Sequence, residues 1–339
     1  MKRSIKTIIL ILTLLLFSSC INPPNIEFEA RKILTCSANE IDLDYPYLYV
    51  AAWRDGLWRI YISDDNFDTT NIQVMDPSES FSEVYDVTAE GDDIIVSTLT
   101  RIWRSEDGGN SWVNIGNNAF LMGIDRFPNQ PEKIFYDKYY YPVVYYSEDN
   151  GNTWDSTQTD IQTADSFIRI NPFKEGEAWI YGIRGGTGFG TPYLFCVDSC
   201  GKYFKLEVDM QNDLHCEDGL NHVNSIAFDP DEPDNIFLCV TVPGKTIFKS
   251  TDGGYNWQET LTDSLLIIKM CNDAIISDKF YALCTDSKLY CVTDNFQIFQ
   301  LLGEVTYESG GPIDMIHDPV RNLLLISETI GVKVVKLNN

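Results

Sequence analysis

Positive charge is scarce in this chain: 25 Lys and Arg stand against 50 Asp and Glu in 339 residues, for a formal charge of −25. Nucleic acid and anionic membrane surfaces are therefore poor partners. Long apolar runs are missing as well. The best of them, residues 8–17, is too short to cross a bilayer as a permanent helix. There is neither a linker nor a low-complexity segment, so residues 30–339 are expected to form one domain. What the sequence has in quantity is acid, aromatic side chains and short strand-like runs separated by turn residues.

The N-terminus places Lys2, Arg3 and Lys6 before the apolar run, which only Thr13 interrupts, and ends it at Ser18, Ser19 and Cys20. That is the order of a signal peptide. Small residues directly before a cysteine, followed by Ile21, Asn22, Pro23 and Pro24, resemble the lipobox of bacterial lipoproteins, with Phe17 where that family has Leu. The resemblance implies a signal peptide over residues 1–19, acylation of Cys20 as the mature N-terminus, and a tether over 20–29 stiffened by two prolines. It also implies a bacterial cell envelope location, at the outer membrane or cell surface rather than the inner membrane. Cleavage would leave 22 basic residues against 50 acids, a charge of −28.

Eight cysteines remain beyond Cys20, an even number that permits disulfides in an exported chain. Most lie in apolar strand-like runs, as in Phe-Leu-Cys-Val at 237–240, where a cysteine serves as a small buried hydrophobe. Cys200 and Cys216 both fall in loops and form the one pair the sequence suggests. Cys196, Cys200, His215 and Cys216 have no standard zinc spacing, and neither a metal nor a cofactor is expected.

Internal repetition is the strongest signal. Ser105-Glu-Asp-Gly-Gly-Asn-Ser-Trp112, Ser147-Glu-Asp-Asn-Gly-Asn-Thr-Trp154 and Ser250-Thr-Asp-Gly-Gly-Tyr-Asn-Trp257 nearly superpose, each after a short aromatic-rich strand. Weaker copies contain Asp65, Asp198 and Asp294. The six aspartates, at 65, 107, 149, 198, 252 and 294, are spaced by 42, 42, 49, 54 and 42 residues. The eight-residue pattern resembles the Asp-box, or BNR repeat, of sialidases, sortilin-type receptors, xyloglucanases and photosystem assembly-factor propellers. In such a turn the carboxylate accepts backbone N–H bonds, the glycine takes up a positive φ, and the tryptophan starts the next strand. Asp65, Asp107, Asp149, Asp198, Asp252 and Asp294 are thus expected to be structural rather than catalytic or calcium-binding.

A step of 42 residues accommodates four short strands and their connections, the size of one propeller blade. Strand counting gives blades near 40–76, 83–116, 120–158, 165–209, 222–261, 264–302 and 312–337. The expected fold is an all-β, seven-bladed propeller of four-stranded antiparallel blades. The last blade shows only three strands, and residues 30–36 are the natural donor of the fourth, which would close the ring and remove exposed edges.

In a propeller the turns between the third and fourth strands of each blade share one face. Fixing the Asp-boxes there puts a ligand on the opposite face, where the loops between second and third strands lie. The candidate rim is Trp53, Arg54, Arg101, Tyr139, Tyr140, Tyr141, Arg184, Phe189, Lys245 and Lys288, with His215, Glu217, His222 and Tyr307 from connections between blades. Aromatic and polar groups on one rim suit a glycan or a protein. Tyrosine-rich turns packing on one another is the alternative account of the same residues. The run of glycines from Gly185 to Gly190 lacks a following helix to receive an anion, so it is expected to be a loop.

Sialidases of this kind use three arginines, a tyrosine nucleophile with a glutamate, and an aspartate acid. Arg54, Arg101 and Arg184 lie on the expected face, but the Arg-Ile-Pro signature is absent; Arg169-Ile170-Asn171 falls late, on a first strand. Tandem-propeller xyloglucanases need two propellers, and this chain has length for one. The leading expectation is a monomeric, non-catalytic binding lipoprotein that recognises a glycan or protein. A divergent glycoside hydrolase using acids among Glu217, Asp218, Glu308 and Glu328, and an assembly scaffold for a membrane protein complex, are the alternatives.

Overall fold

The computed structural model describes residues 30–337, apart from 64–65, 73–82, 118–120, 129, 139–140, 160, 162–163, 185–190, 215–222, 243–244, 262–264, 295 and 308–310. The described residues form seven four-stranded antiparallel sheets, the blades of a propeller. Blade 1 is β2 (Ala38–Asp44), β3 (Tyr47–Ala52), β4 (Gly56–Ile62) and β5 (Phe67–Ile72); blade 2 is β6 (Val84–Glu90), β7 (Asp93–Thr98), β8 (Arg101–Ser105) and β9 (Val113–Asn117). Blade 3 is β10 (Leu121–Phe127), β11 (Gln130–Lys138), β12 (Val143–Ser147) and β13 (Asp155–Gln158); blade 4 is β14 (Ala164–Ile170), β15 (Ala178–Arg184), β16 (Thr191–Asp198) and β17 (Tyr203–Glu207). Blade 5 is β18 (Val223–Phe228), β19 (Ile236–Val242), β20 (Lys245–Ser250) and β21 (Gln258–Leu261); blade 6 is β22 (Ile267–Asn272), β23 (Phe280–Cys284), β24 (Lys288–Thr293) and β25 (Ile298–Glu304). Blade 7 takes β26 (Pro312–Asp318), β27 (Leu323–Glu328) and β28 (Gly331–Lys336) from the C-terminus, and its fourth strand is β1 (Ala30–Leu34).

Strand composition follows strand position. The second strands are covered by neighbouring blades on both sides, and so read as continuous apolar runs such as Leu48-Tyr-Val-Ala-Ala52, whose members are at most 1% exposed. The outermost strands face water and are polar, as in Asp68-Thr-Thr-Asn71, all exposed. The innermost strands alternate between a blade interface and the axial channel, which is why charged residues interrupt them.

The expected closure is present. Strand β1 pairs antiparallel with β28, Ala30 opposite Val335 and Leu34 opposite Val332. Leu34, Val332 and Val334 then pack with Ile41, Leu48 and Ile60 of blade 1 in a single buried cluster. Burying aliphatic side chains of this size contributes about 1.5–3 kcal/mol each, so the terminal strand both hides an edge and seals the ring.

The described cysteines, Cys36, Cys196, Cys200, Cys239, Cys271, Cys284 and Cys291, are free thiols. Cys200, suggested by the sequence as half of a disulfide, is instead one of them, 4% exposed in the core between blades 3 and 4; Cys216 lies outside the described residues. Burial pushes the thiols of Cys36, Cys239 and Cys284 up to about 12, so they behave as inert core residues.

Candidate functional site

Three turns on one face are built identically. In each, a serine hydroxyl donates to the aspartate two residues on, at 2.8 Å in Ser105–Asp107, Ser147–Asp149 and Ser250–Asp252. The same serine oxygen accepts the amide of Gly109, Gly151 or Gly254 at 2.8 Å. The carboxylate then accepts the backbone amide and the side chain of Ser111, Thr153 or Asn256. The Ser111 hydroxyl and amide, with Ser105, hold Asp107 down to about 2, and Asp149 and Asp252 are lowered by the same kinds of bond. Gly254 has φ +94 and an added Cβ would fall 2.2 Å from Trp179 of the preceding blade, so the turn also needs the missing side chain. The tryptophans differ: Trp112 and Trp257 donate to the Gly109 and Gly254 carbonyls of their own turns, at 3.2 and 2.9 Å, whereas Trp154 donates to the Ile115 carbonyl of blade 2 at 2.7 Å.

The weaker copies depart from this plan. The amide of Cys200 bonds to the Gly176 carbonyl as that of Gly108 does to Asp92, which makes Ser199 the positional equivalent of Asp107. Asp198 therefore sits one residue earlier, in the place of Glu106, with its carboxylate accepting the Ser199 amide at 2.6 Å. Asp294 sits two residues after Val292, which pairs with Phe280 where the complete turns have serine, and β25 resumes at Ile298 after a shorter connection. Asp65 lies outside the described residues.

At the other end of the blades, every innermost strand shifts register near its start: between Ala38 and Ile41, Val84 and Asp86, Leu121 and Ile124, Ala164 and Ser166, Val223 and Ser225, Ile267 and Lys269, and Pro312 and Asp314. A bulge changes where the next side chain points. Continuing the ladders, the residue just past the shift is Glu40, Asp86, Gly123, Ser166, Ser225, Lys269 or Asp314, a ring of positions around the upper channel.

Arg169 of β14 ties this ring together, with Nη2 at 2.6 Å from Asp314 and 3.1 Å from Glu40. Burial, then the neighbouring Asp314 charge, raises Glu40 to about 8. Burial also lifts Asp314, but Arg169 and Lys269 outweigh it and hold that carboxyl below its ordinary range. The two carboxyls are therefore pushed in opposite directions, Glu40 up and Asp314 down, by burial and by the cations beside them. Burial likewise lowers Lys269, whose ammonium donates to the Asn224 carbonyl at 2.6 Å. Asp86 is raised by burial and then by Glu40.

Several channel carboxylates also join blades. Asp42 accepts the Ala89 amide at 2.7 Å and Asp86 the Ile124 amide at 2.9 Å, each across a blade junction. Ser225 does the same for Met270 at 3.0 Å. The channel below encloses about 370 Å³. Above Glu40 and Asp86, a second cavity of about 320 Å³ opens at the mouth, walled by Trp53, Tyr85, Phe167 and Ile313. A separate groove of about 370 Å³, lined by Gly116, Tyr136, Tyr145 and Trp154, is a seam between blades 2 and 3 in which the tyrosine rings stack at 4.9 Å.

Trp53 is the rim residue that the mouth cavity incorporates. It is 43% exposed, its indole N–H donates to the Tyr85 hydroxyl at 3.2 Å, and the Arg54 guanidinium lies 4.6 Å over its ring. The turn beneath is anchored, since Asp55 accepts both the amide and the hydroxyl of Ser37, at 2.6 and 2.7 Å. Other predicted rim residues have local partners: Arg101 covers Trp103 at 5.5 Å, Lys288 pairs with Asp286 at 2.6 Å, and Tyr307 donates to the Thr285 carbonyl at 2.8 Å. Tyr141 is exposed. Glu328, considered as an acid, is buried and paired with Lys333 at 2.7 Å. Arg184 ends β15 and Lys245 begins β20. Tyr139, Tyr140, Phe189, His215, Glu217, Asp218, His222 and Glu308 lie outside the described residues. Sequence reasoning missed Glu40, Asp86, Lys269 and Asp314, and set aside Arg169; the available signal was a charged residue between two aliphatic ones, as in Ile268-Lys269-Met270 and Ile313-Asp314-Met315.

No protein-family model matches the chain, and no curated protein does. Solved structures do. The chain is similar to YCF48 bound to D1 peptide, with a TM-score of 0.67 at 16% identity over 94% of this chain and 99% of that one. YCF48 from Cyanidioschyzon merolae gives 0.62 at 12% identity over 91% and 98%. The extracellular domain of the putative one-component system BT4673 from B. thetaiotaomicron gives 0.61 at 11% identity, over 93% of this chain and 40% of that one. At such identities the likeness is one of fold.

Proposed function

We propose that this chain is a non-catalytic binding propeller of the bacterial envelope, of the Asp-box type and anchored through an acylated Cys20, that takes a segment of a protein partner into the channel mouth beside Trp53. The carrying observation is the mouth cavity of about 320 Å³: aromatic and aliphatic walls over the polar floor of Glu40 and Asp86, on the face opposite the serine–aspartate turns. A few convergent polar groups beneath apolar walls are what a side-chain-sized ligand needs, and the cavity lies at the small end of ligand-pocket volumes. The likeness to a propeller solved with a bound peptide supports a peptide over a glycan.

One observation favours a second reading. Burial and the Asp314 charge raise the Glu40 carboxyl to about 8, the direction a general acid in glycoside hydrolysis requires. Against this, Arg169 and Asp314 engage Glu40 from within the channel, while Arg54 and Arg101 lie over separate tryptophans.

Selection of the mature protein against a random peptide library, beside a glycan array and fluorogenic sialosides and xylosides, separates the two. Peptides that bind with wild-type protein and lose binding with Trp53→Ala are expected. Glycoside turnover abolished by Glu40→Gln would instead establish the hydrolase.

A further inference from the structure

The turns joining first to second strands, on the face of the serine–aspartate turns, share one frame in blades 5, 6 and 7. Asp229 accepts the amides of Asp231 and Glu232 at 3.0 and 3.3 Å, Asp273 those of Ile275 and Ile276 at 2.9 and 3.0 Å, and Asp318 those of Val320 and Arg321 at 2.9 and 3.3 Å. The frame accepts an acidic pair in blade 5, so it does not require apolar tips. Yet Ile275, Ile276 and Val320 are 69, 51 and 62% exposed, and Tyr45 in the corresponding turn of blade 1 is 45% exposed.

These tips are neighbours. The Ala274 amide donates to His317 Nδ1 at 3.1 Å, joining the blade 6 turn to blade 7, and the Arg321 guanidinium lies 4.5 Å over the Tyr45 ring, joining blade 7 to blade 1. Single exposed hydrophobes are ordinary, but four on the turns of three adjacent blades form a candidate contact surface.

The N-terminal strand says what that surface meets. Ala30 pairs with Val335, and Lys336 with Leu323 just past the Val320 turn, so the chain enters the propeller at this face and at this blade. Residues 21–29 separate it from Cys20 and reach at most about 30 Å even fully extended. Reaching the opposite face would use most of that length merely to pass strands about 20 Å long. At this end of blade 7 Arg31, Arg321 and Lys336 stand against the buried Asp318, and the blade 6 and blade 1 turns add Lys279 against Asp273, Asp278 and Asp44, so the face is close to neutral in an acidic chain. Charges more than about 8 Å away are largely screened at physiological salt, so the local balance governs contact with a headgroup layer. A tyrosine beside an arginine suits that depth of a bilayer.

We infer that the turns of blades 6, 7 and 1 rest on the phospholipid surface, with Ile275, Ile276, Val320 and Tyr45 against the headgroups, and that the Trp53 mouth points away from the membrane. This rests on the Cys20 anchor proposed above.

The full-length chain is placed in vesicles of phosphatidylethanolamine and phosphatidylglycerol, with a fluorophore at Ile276→Cys or, on the opposite face, Asp286→Cys, the unsubstituted protein giving the background from native thiols. A headgroup-linked quencher should quench the label at 276 at least threefold more than that at 286; equal or reversed quenching overturns the inference. The mass of the N-terminal peptide reports the anchor separately. Acylation with equal quenching removes the surface and keeps the anchor, whereas selective quenching without acylation keeps the surface and removes the anchor. Ile275→Asp with Ile276→Glu copies the blade 5 residues into the same frame, so the thermal midpoint should hold while quenching of a Val320→Cys label falls at least twofold. Unchanged quenching there would contradict the contact.

Discussion

The two ends of the blades treat repetition in opposite ways. At one end, blades 2, 3 and 5 close their last hairpin with the same serine, aspartate and glycine in the same hydrogen bonds, to within 0.1 Å for the serine–aspartate and glycine–serine contacts. At the other end, seven equivalent positions after the bulge carry Glu40, Asp86, Gly123, Ser166, Ser225, Lys269 and Asp314. A turn that solves one local problem in every blade has no reason to vary. A ring whose members meet across the axis must vary, because identical charges there would repel at low dielectric; here Arg169 and Lys269 offset the acids. Sameness therefore marks scaffold and difference marks the place where chemistry is arranged, although Asp42, Asp86 and Ser225 show that channel residues also join blades.

The largest expected difference between the two ends is in stability. Arg169→Met removes the cation between Glu40 and Asp314 and leaves buried acid without its partner, a change that costs about 3–5 kcal/mol in comparable cases. Chemical denaturation should show it, and a loss below about 1 kcal/mol would mean the ring is hydrated and weakly coupled. Ser250→Ala breaks one copy of the repeated turn, deleting a hydroxyl that donates to Asp252 and accepts from Gly254. Its expected cost is smaller, about 1–2 kcal/mol, because the other blades keep their own turns. A loss exceeding that of Arg169→Met would invert the comparison.

The subtlest difference is in pH dependence. Glu40 holds its proton to about 8 in the folded protein against an ordinary value near 4.5, so the native state binds the proton more tightly than the unfolded chain does. Its contribution is full below that ordinary value and is lost as pH rises through about 8; Asp42 and Asp125, raised by burial to about 6 and 7, act in the same sense. Denaturation midpoints should fall from pH 5 to 8.5, and Glu40→Gln should flatten the decline. Asp107, held down to about 2, loses its contribution only in acid, so its turn should be indifferent over the same range. An equal slope in wild type and Glu40→Gln would place the titration elsewhere.

Much of the architecture was legible because turn aspartates recur at steps of 42 to 54 residues and the three-strand remainder at the C-terminus demanded a donor. Blade limits agree with the strands to within a few residues. The channel was less legible for a physical reason: in Glu40-Ile41-Asp42 or Ile168-Arg169-Ile170, alternation reads as one face in the core and one in water, and nothing local says that the wet face is an axial cavity. The bulge adds a residue whose position pairing alone reveals. Asp198 shows the same limit at the turn end, where the letter suggested one register and the Cys200 amide defines another. Trp53 was legible as a rim aromatic; its hydrogen bond to Tyr85, some thirty residues away in the next blade, was not.

The central claim, that the divergent end holds the partner, is tested most directly by the dissociation constant of a library-selected peptide for two variants. Trp53→Ala alters the channel mouth, and Tyr255→Ala alters a 60% exposed aromatic in the serine–aspartate turn of blade 5. The account predicts at least tenfold weaker binding for Trp53→Ala, the effect of losing an aromatic anchor, and no change for Tyr255→Ala. Weaker binding for Tyr255→Ala with Trp53→Ala unaffected would contradict it.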